Sequence, residues 1–210
     1  MKIGIIGSGN VGGALGKRWA ALGHQVLFST RRPDSEEMKT LVASAGPRAR
    51  ATTAAETVAA SDILLLATPW PVTREMVESL GELNNKILID ATNPLLPNLA
   101  GLEFANTSSG AEQVAQWAKG ARVVKAFNTI GDNIMEQTTF GEISPVLFYC
   151  GDDKEAKQTA HQLAAELGFD PQNAGPLTQA RVLEPFALLW ISLAVKQGFG
   201  RDIAFQLLKR

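Results

Sequence analysis

A glycine-rich segment near the N-terminus constrains the fold of this chain more strongly than any other feature. Its residues are Gly7-Ser8-Gly9-Asn10-Val11-Gly12. A short apolar run at 2–6 precedes the segment, and apolar residues at helical spacing follow across 11–22. Glycines between a strand and a helix let the backbone approach a pyrophosphate at the free amides of the helix N-terminus. The segment therefore predicts a dinucleotide-binding turn, and all six residues are candidate contacts.

Each glycine of this turn has its own expected role. Gly7 permits the tight turn, Gly9 leaves room for the phosphates, and Gly12 lets the helix pack closely on the strand. The alternative is a glycine-rich turn that binds nothing. The strand before the segment and the helix after it favour the binding turn over that alternative.

Strand-like and helix-like segments alternate along the chain. Apolar runs predict strands at 2–6, 25–29, 63–68, 86–90, 122–127 and 146–150. Two pairs have the spacing of capping boxes, which start helices near 54 and 110: Thr53 with Glu56, and Ser109 with Glu112. Parallel strands need helical crossovers, so this alternation predicts an α/β fold of the doubly wound Rossmann type with a mainly parallel sheet.

The composition is that of an ordinary globular protein. Hydrophobic residues make up 45% of the chain and charged residues 20%, and the formal net charge is −1. This charge balance argues against nucleic-acid binding. Cys150 is the single cysteine and cannot form an internal disulfide, and no apolar run is long enough for a signal peptide core or a membrane span. We therefore expect a cytoplasmic protein with no membrane anchor.

The end of the second strand indicates which dinucleotide is bound. An acidic residue there would accept hydrogen bonds from the ribose hydroxyls of NAD, but the strand runs into Thr30, Arg31 and Arg32. Two guanidinium groups and a hydroxyl suit the 2′-phosphate of NADP. Asp34 lies close by, but it follows Pro33 and is interpreted as a helix cap. The sequence thus predicts NADP, with a solvated basic turn as the alternative.

Residues just after the later strands are the next candidates, since ligands of such sheets lie outside the carboxyl ends of the strands. They are Thr68, Pro69 and Trp70, then Asn93, then Asn128 and Thr129. Amides and hydroxyls could hold the nicotinamide ribose and carboxamide, and Pro69 with Trp70 could form an apolar wall for a flat ring. The alternative is that these residues serve only as turn punctuation.

Groups for acid–base catalysis are scarce. His24 and His161 are both expected to be solvated surface residues, and Lys125 lies within a strand, where a structural role is favoured over proton donation. No catalytic triad, zinc-spaced cluster or paired-carboxylate site can be assembled, so we predict no catalytic side chain and no metal ligand. Hydride transfer to a flavin-like ring needs mainly two flat rings about 3–3.5 Å apart, and the sequence favours that chemistry.

Several motifs resemble the coenzyme F(420)-dependent NADP oxidoreductases. They are Gly7-Ser8-Gly9-Asn10, Thr30-Arg31-Arg32, Thr68-Pro69-Trp70, Cys150-Gly151-Asp152-Asp153, and Asn173-Ala174-Gly175-Pro176-Leu177 leading into Ala180-Arg181-Val182-Leu183-Glu184. The resemblance implies a Rossmann domain, a small C-terminal α/β part, a homodimer, and a deazaflavin bound over the nicotinamide with little side-chain catalysis. In contrast, 125–129 looks more like the cytoplasmic reductase domain of the six-transmembrane metalloreductases, which use NADPH and a flavin.

The character of the sequence changes after residue 150. Helices are expected at 153–167 and 177–197. We predict an NADP-binding Rossmann domain at 1–150 and a small C-terminal domain at 151–210, which would cover the cleft and contribute to dimerisation.

The predicted function is an NADPH-dependent oxidoreductase whose small-molecule co-substrate is either coenzyme F(420) or a flavin. Two alternatives stay open. One is an imine or carbonyl reductase resembling pyrroline-carboxylate reductase, although such enzymes carry larger helical C-terminal domains. The other is a non-catalytic NADP-binding sensor.

Overall fold

The computed structural model describes all 210 residues, and eight strands form one sheet. The strands are β1 (Lys2–Ile6), β2 (Gln25–Ser29), β3 (Ala49–Thr52), β4 (Ile63–Leu66), β5 (Ile87–Asp90), β6 (Arg122–Lys125), β7 (Val146–Gly151) and β8 (Asp170–Gly175). Their order across the sheet is β3-β2-β1-β4-β5-β6-β7-β8. Only β6 and β7 pair antiparallel. The predicted α/β class with a mainly parallel sheet is therefore confirmed.

Eight α-helices connect or follow these strands. They are α1 (Asn10–Ala21), α2 (Glu36–Ala45), α3 (Ala54–Ala60), α4 (Trp70–Ser79), α5 (Gly110–Trp117), α6 (Asp132–Glu136), α7 (Lys154–Glu166) and α8 (Ala180–Ile191). The strand order reverses between β1 and β4, which is the point where open α/β sheets of this topology form their ligand crevice. None of the helices is long and apolar enough to cross a lipid bilayer.

Two hydrophobic cores cover the two faces of the sheet. Neighbouring residues of one strand point to opposite faces, so Leu65 of β4 joins one core while Leu64 and Leu66 join the other. The first core comprises 30 buried residues and includes Trp19 of α1, and the second comprises 15 and includes Val114 of α5. Because every residue of β4 is buried, the strand has no solvent face and shows no polar alternation.

Helix starts follow the predicted capping chemistry at two positions and depart from it at a third. Thr53 and Glu56 form a complete capping box at α3, and the Ser109 hydroxyl accepts from the Glu112 amide at α5. The interpretation of Asp34 as a helix cap was wrong. The hydroxyl of Ser35 accepts from the Met38 amide and starts α2, since Ser35 is the residue that immediately precedes the first helical turn.

The C-terminal segment extends the sheet. β7 pairs with β6, and β8 pairs with β7 after the crossover helix α7, so the strand predicted at 146–150 is followed by a further edge strand that was not predicted. The expected continuous helix at 177–197 was wrong in detail. It is a 3-10 turn at Leu177–Gln179, then α8, then a π-helical turn at Ser192–Lys196. Pro176 itself has extended backbone, with φ −70 and ψ 166, and immediately precedes the 3-10 turn.

Candidate cofactor-binding site

The glycine turn joins β1 to α1 with very little space around its backbone. Gly7 has φ +100, and a side chain there would meet the Ala67 carbonyl oxygen at 2.5 Å. A side chain on Gly12 would collide with the Gly7 carbonyl and approach Ile5 Cγ2 to 2.8 Å. By contrast, nothing lies within 4 Å of the position a Gly9 side chain would take. The first two glycines are needed by the fold, whereas Gly9 faces open space at the N-terminus of α1.

Two cavities meet at this turn, and both adjoin Gly7 and Thr68. We call the first the Arg31 cavity. Its lining residues are Gly7, Ser8, Ser29, Thr30, Arg31, Thr53, Ala54, Thr68 and Met76. The second is the Trp70 slot. Its lining residues are Gly7, Gly9, Asn10, Val11, Ala67, Thr68, Pro69, Trp70, Pro71, Ala91, Thr92, Asn93 and Leu95. An elongated ligand can therefore cross the glycine turn from one cavity to the other.

Most of the residues proposed from sequence line one of these cavities. The exceptions are Gly12, Arg32, Asn128 and Thr129, which line neither. Sequence reasoning missed Thr53 and Met76 in the Arg31 cavity. Thr53 could have been found, because it immediately follows a strand and caps the next helix in a parallel sheet, but the mid-helix Met76 carries no local signal.

The Arg31 cavity presents positive charge where a phosphate would be held. Arg31 is exposed and forms no ion pair, and no acidic side chain lines this cavity. The amide of Arg32 donates to the Thr30 hydroxyl at 3.1 Å, which shapes the turn, while the Arg32 side chain is exposed outside the cavity. An unpaired guanidinium beside a hydroxyl fits a phosphate monoester, and the open space over Gly9 fits a pyrophosphate.

No charged side chain lines the Trp70 slot. Thr68 is buried, and its hydroxyl lies 2.9 Å from the Thr73 hydroxyl, which itself donates to the Pro69 carbonyl at 3.0 Å. These bonds fix the first turn of α4, which begins at Trp70. The wall of the slot is therefore rigid, apolar and held by a short polar relay inside the protein.

An aromatic group continues the slot on its far side. The Trp70 ring lies 5.6 Å from that of Trp117 at 35°, and Phe104 contacts it edge-on at 6.0 Å. The Trp70 indole N–H donates to Glu103 at 2.6 Å. A third cavity, the Trp117 cavity, lies beyond Trp70. Its lining residues are Trp70, Pro71, Arg74, Leu95, Leu96, Pro97, Glu103, Phe104, Gln113 and Trp117. No local sequence pattern indicated that Phe104 and Trp117 adjoin the candidate site.

The amides after β5 and β6 lie at the inner end of the slot. Asn93 lines the slot, whereas Asn128 lies behind it and donates to Asn93 Oδ1 at 3.1 Å. Asn128 Oδ1 and the Thr129 hydroxyl are buried and have no hydrogen-bond partner. Asn128 follows Phe127, which is buried and has φ +66. Few residues other than glycine adopt such a positive φ. Such backbone strain is concentrated at functional sites in proteins.

Comparison with known proteins identifies the family of this site. Residues 2–94, which carry the glycine turn, the Arg31 cavity and every lining residue of the Trp70 slot except Leu95, match the model of the NADP oxidoreductase, coenzyme F(420)-dependent, family. They belong to that family. The resemblance inferred from the sequence motifs is confirmed, and most lining residues of the Trp117 cavity lie beyond the matched segment.

Relatives with known names extend the comparison to nearly the whole chain. The metalloreductase STEAP3 of Rattus norvegicus is 31% identical over 191 residues, which are 89% of this chain and 36% of that protein. This chain thus spans about a third of the length of the curated relatives that it matches. A crystal structure from Arthrobacter sp. FB24, provisionally named an F(420)-dependent NADP reductase, is also similar. It superimposes on this chain over the full length of both proteins, with TM-score 0.88 and 28% identity.

The fold is shared more widely than the family. A reductive aminase from Aspergillus terreus superimposes with TM-score 0.67 over 94% of this chain and 63% of its own, at 20% identity. At that level of identity the likeness concerns the fold alone.

A buried ion network forms the floor of the cleft. The Lys125 ammonium contacts Asp90 at 2.9 Å, Glu184 at 2.8 Å and the Thr92 carbonyl at 2.6 Å. Burial alone would lower the pKa of Lys125, but the carboxylates of Asp90 and Glu184 outweigh burial and raise it. Lys125 therefore has all three of its donors occupied and remains an ammonium.

The two histidines lie away from the slot, but the prediction that both are solvated was wrong for His24. His24 is 7% exposed and contacts the N-terminal ammonium at 3.1 Å and Glu166 of α7 at 2.8 Å. The partner from α7 lies 142 residues away in sequence, so local pattern could not reveal the contact. His161 is exposed, as expected, and its ring contacts the Tyr149 hydroxyl at 3.2 Å.

Proposed function

We propose that this chain is an NADPH-dependent oxidoreductase that exchanges a hydride between NADP(H) and a flavin-like ring, either the deazaflavin coenzyme F(420) or a flavin. The observation that carries the proposal is that the Arg31 cavity and the uncharged Trp70 slot adjoin at the glycine turn, where Gly7 and Thr68 line both. A charged end and an uncharged end match the two halves of a phosphorylated dinucleotide.

The residues of the two cavities have distinct proposed roles toward NADP. Arg31 and Thr30 hold the 2′-phosphate, Thr53 and Met76 flank the adenosine, and Gly9 admits the pyrophosphate to the amides of α1. The nicotinamide half would occupy the Trp70 slot, with its polar substituents facing a second group of side chains. These are Thr68, Thr92 and Asn93.

The chemistry that the cofactor supplies is the transfer of two electrons and a proton from the nicotinamide as a hydride. Reduction of a carbonyl or imine would require a proton donor beside the acceptor, and no titratable side chain lines the slot. A flavin-like ring accepts hydride directly and takes its remaining proton from water, so it makes the smallest demand on these residues.

The Trp117 cavity supports a large planar co-substrate. It shares Trp70, Pro71 and Leu95 with the slot, and its aromatic side chains offer flat apolar surface beside the nicotinamide end. Its charged residues already have partners, because Arg74 pairs with Glu78 and Glu103 accepts from Trp70. A planar ring that spans the boundary at Trp70 would meet both surfaces.

Anaerobic stopped-flow mixing with NADPH tests this function. We expect absorbance changes at the nicotinamide and at the second ring to share one rate constant when coenzyme F(420), FMN or FAD is added. A cyclic imine added in place of the ring should give no NADPH oxidation. If NADPH binds but no ring is reduced, the protein is a sensor and the proposed function is wrong, and imine turnover would assign the alternative reductase activity.

We also propose that residues 151–210 form the small C-terminal domain of the sequence prediction and contribute to a homodimer. α8 and the following segment expose large apolar side chains. They are Val182, Leu189, Val195 and Phe199, with exposed fractions of 61%, 48%, 58% and 66%. Several large exposed apolar side chains along one segment favour an interaction site there. Light scattering should give a mass of twice 22.5 kDa, and Leu189→Glu should shift it toward the monomer.

A further inference from the structure

The buried ion network beneath the slot has an unbalanced charge. Its three members, Asp90, Lys125 and Glu184, are each 0% exposed and are called the buried triad below. Two carboxylates face a single ammonium, at 2.9 Å and 2.8 Å. Burial of a net charge lowers the stability of the fold. An unbalanced buried charge therefore suggests a functional role.

Hydrogen-bond partners show that both acids of the triad are carboxylates. Asp90 accepts from the amide and hydroxyl of Thr92 as well as from Lys125. Glu184 accepts from the amides of Gly110 and Ala111 as well as from Lys125. Each of the four carboxyl oxygens thus accepts from at least one group that can only donate, either a backbone amide or the Lys125 ammonium. The buried triad therefore carries a net charge of −1.

The triad lies directly beneath the wall of the Trp70 slot. Thr92, which lines the slot, is bonded to Asp90 through its amide and hydroxyl and to Lys125 through its carbonyl. Glu184 approaches the slot from the other side, where Gly110 separates it from Trp70. A side chain on Gly110 would stand 3.2 Å from both the Glu184 carboxylate and the Trp70 ring.

We infer that the net negative charge of the buried triad makes the Trp70 slot bind the oxidised cofactor more tightly, relative to the reduced one. The nicotinamide ring of NADP⁺ carries a positive charge that NADPH lacks, and the slot itself supplies no charge to balance it. A charge buried under the slot is screened little by solvent. The inference rests on the proposed function, because it requires the nicotinamide to occupy this slot.

The N-terminus of α5 offsets part of this charge but does not alter the test. Its amides of Gly110 and Ala111 point at Glu184, and a helix N-terminus contributes a partial positive charge of about half a unit. That contribution persists when a carboxylate is replaced by its amide. Glu184→Gln therefore changes the charge under the slot by one full unit with almost no change in volume.

The measured quantity is the ratio of the dissociation constant of NADP⁺ to that of NADPH. Removing a unit charge within about 15 Å, at an effective dielectric constant of about 20, should raise this ratio about fivefold to twentyfold. Calorimetry gives the NADP⁺ value and nicotinamide fluorescence the NADPH value. Any affinity loss common to both forms, including a fraction of unfolded protein, cancels in the ratio.

Glu112→Gln is the matched control. Glu112 joins the same two helices by pairing with Arg181 at 2.6 Å, but it is 18% exposed and lies outside the triad. It should leave the ratio unchanged within about twofold, as expected for a solvent-screened charge. Asp90→Asn removes the other carboxylate that pairs with Lys125 and should also raise the ratio. It replaces Glu184→Gln as the test if that variant does not fold.

Two outcomes distinguish a failure of this inference from a failure of the proposed function. If the unaltered protein binds neither form of the cofactor, the proposed function fails. If it binds both and the ratio in Glu184→Gln and Asp90→Asn stays within twofold of the unaltered value, the function stands and the inference is overturned. The shift should also persist in 0.5 M NaCl, since a surface charge would be screened there and a buried one would not.

Discussion

Asn93 and Asn128 hydrogen-bond to each other in both directions at the carboxyl ends of β5 and β6. Asn93 Nδ2 donates to the Asn128 carbonyl at 2.9 Å, and Asn128 Nδ2 donates to Asn93 Oδ1 at 3.1 Å. Asn128 also donates to the Leu183 carbonyl of α8 at 3.2 Å. One buried amide thus fixes the orientation of a slot residue and ties the C-terminal helix to the sheet edge.

Replacing Asn128 by alanine should therefore destabilise the fold. The substitution removes two hydrogen bonds, one to Asn93 Oδ1 and one to the Leu183 carbonyl, which together contribute about 1–3 kcal/mol to the free energy of unfolding. Urea unfolding measures the loss. The control is the exposed Asn173 of β8, whose side chain accepts only from the Gly175 amide two residues further along the same strand, and its alanine variant should lose less. Equal losses in the two variants would show that the Asn128 hydrogen bonds add no more to the free energy of unfolding than an exposed side-chain hydrogen bond does.

Arg31 and Arg32 were equivalent in the sequence, but the structure separates them. Arg31 lines the cavity assigned to the 2′-phosphate, and Arg32 does not. Arg31→Ala should weaken NADPH binding about tenfold or more and leave NADH binding nearly unchanged, because only NADPH carries the phosphate. Arg32→Ala should have a smaller effect on both. Calorimetry that finds equal losses of NADPH and NADH in Arg31→Ala would remove the assignment of NADP.

Gly9 and Gly13 make a second matched pair. Both positions have room for a methyl group, since the nearest atom is more than 4 Å away at Gly9 and 3.6 Å away at Gly13. Gly9→Ala should fold with an unchanged melting temperature yet lose NADPH affinity about tenfold, because the methyl group occupies the space left for the pyrophosphate. Gly13→Ala lies outside the Trp70 slot and should keep that affinity, with a small gain in helix stability. Full affinity in Gly9→Ala would place the phosphates elsewhere.

The sequence predicted the parts of the fold that depend on local pattern. β1, the glycine turn, α1 and the capping box at Thr53 depend on residues within a few positions of one another, and all were placed within about two residues. β8 was missed because Asp170–Gly175 contains proline, asparagine and glycine and has no buried residue. It becomes a strand because the free edge of β7 pairs with its backbone, which is a tertiary effect.

The sequence predicted site residues that follow individual strands, but it did not predict the contacts between residues that lie far apart in the sequence. The motif residues Gly9 and Arg31 could be found because their chemistry is tied to a fixed spacing. The partners of Lys125 could not, since Asp90 and Glu184 are 94 positions apart and are brought together only by the packing of α8 on the sheet. The positive φ of Phe127 likewise has no sequence signal, because phenylalanine is a residue that rarely adopts it.

Cys150 should make the stability of the fold depend on alkaline pH. Its side chain is 0% exposed, and burial raises the pKa of the thiol to about 12. The folded state therefore favours the neutral thiol more strongly than the unfolded chain does. Its contribution to stability is complete below the unfolded pKa of about 9 and is lost as the pH rises from there toward 12, by about 1.4 kcal/mol per pH unit.

The comparison of the unaltered protein with Cys150→Ala isolates this effect from other titrating groups. Cavity formation in Cys150→Ala lowers the free energy of unfolding by the same amount at every pH. Between pH 8 and pH 10.5 the stability difference between the two proteins should then shrink by about 2 kcal/mol, because only the unaltered chain gains a thiolate on unfolding. Urea titrations at the two pH values measure it. A difference that stays constant, or rapid labelling of the native thiol by a disulfide reagent at pH 8, would show that Cys150 is not held neutral by burial.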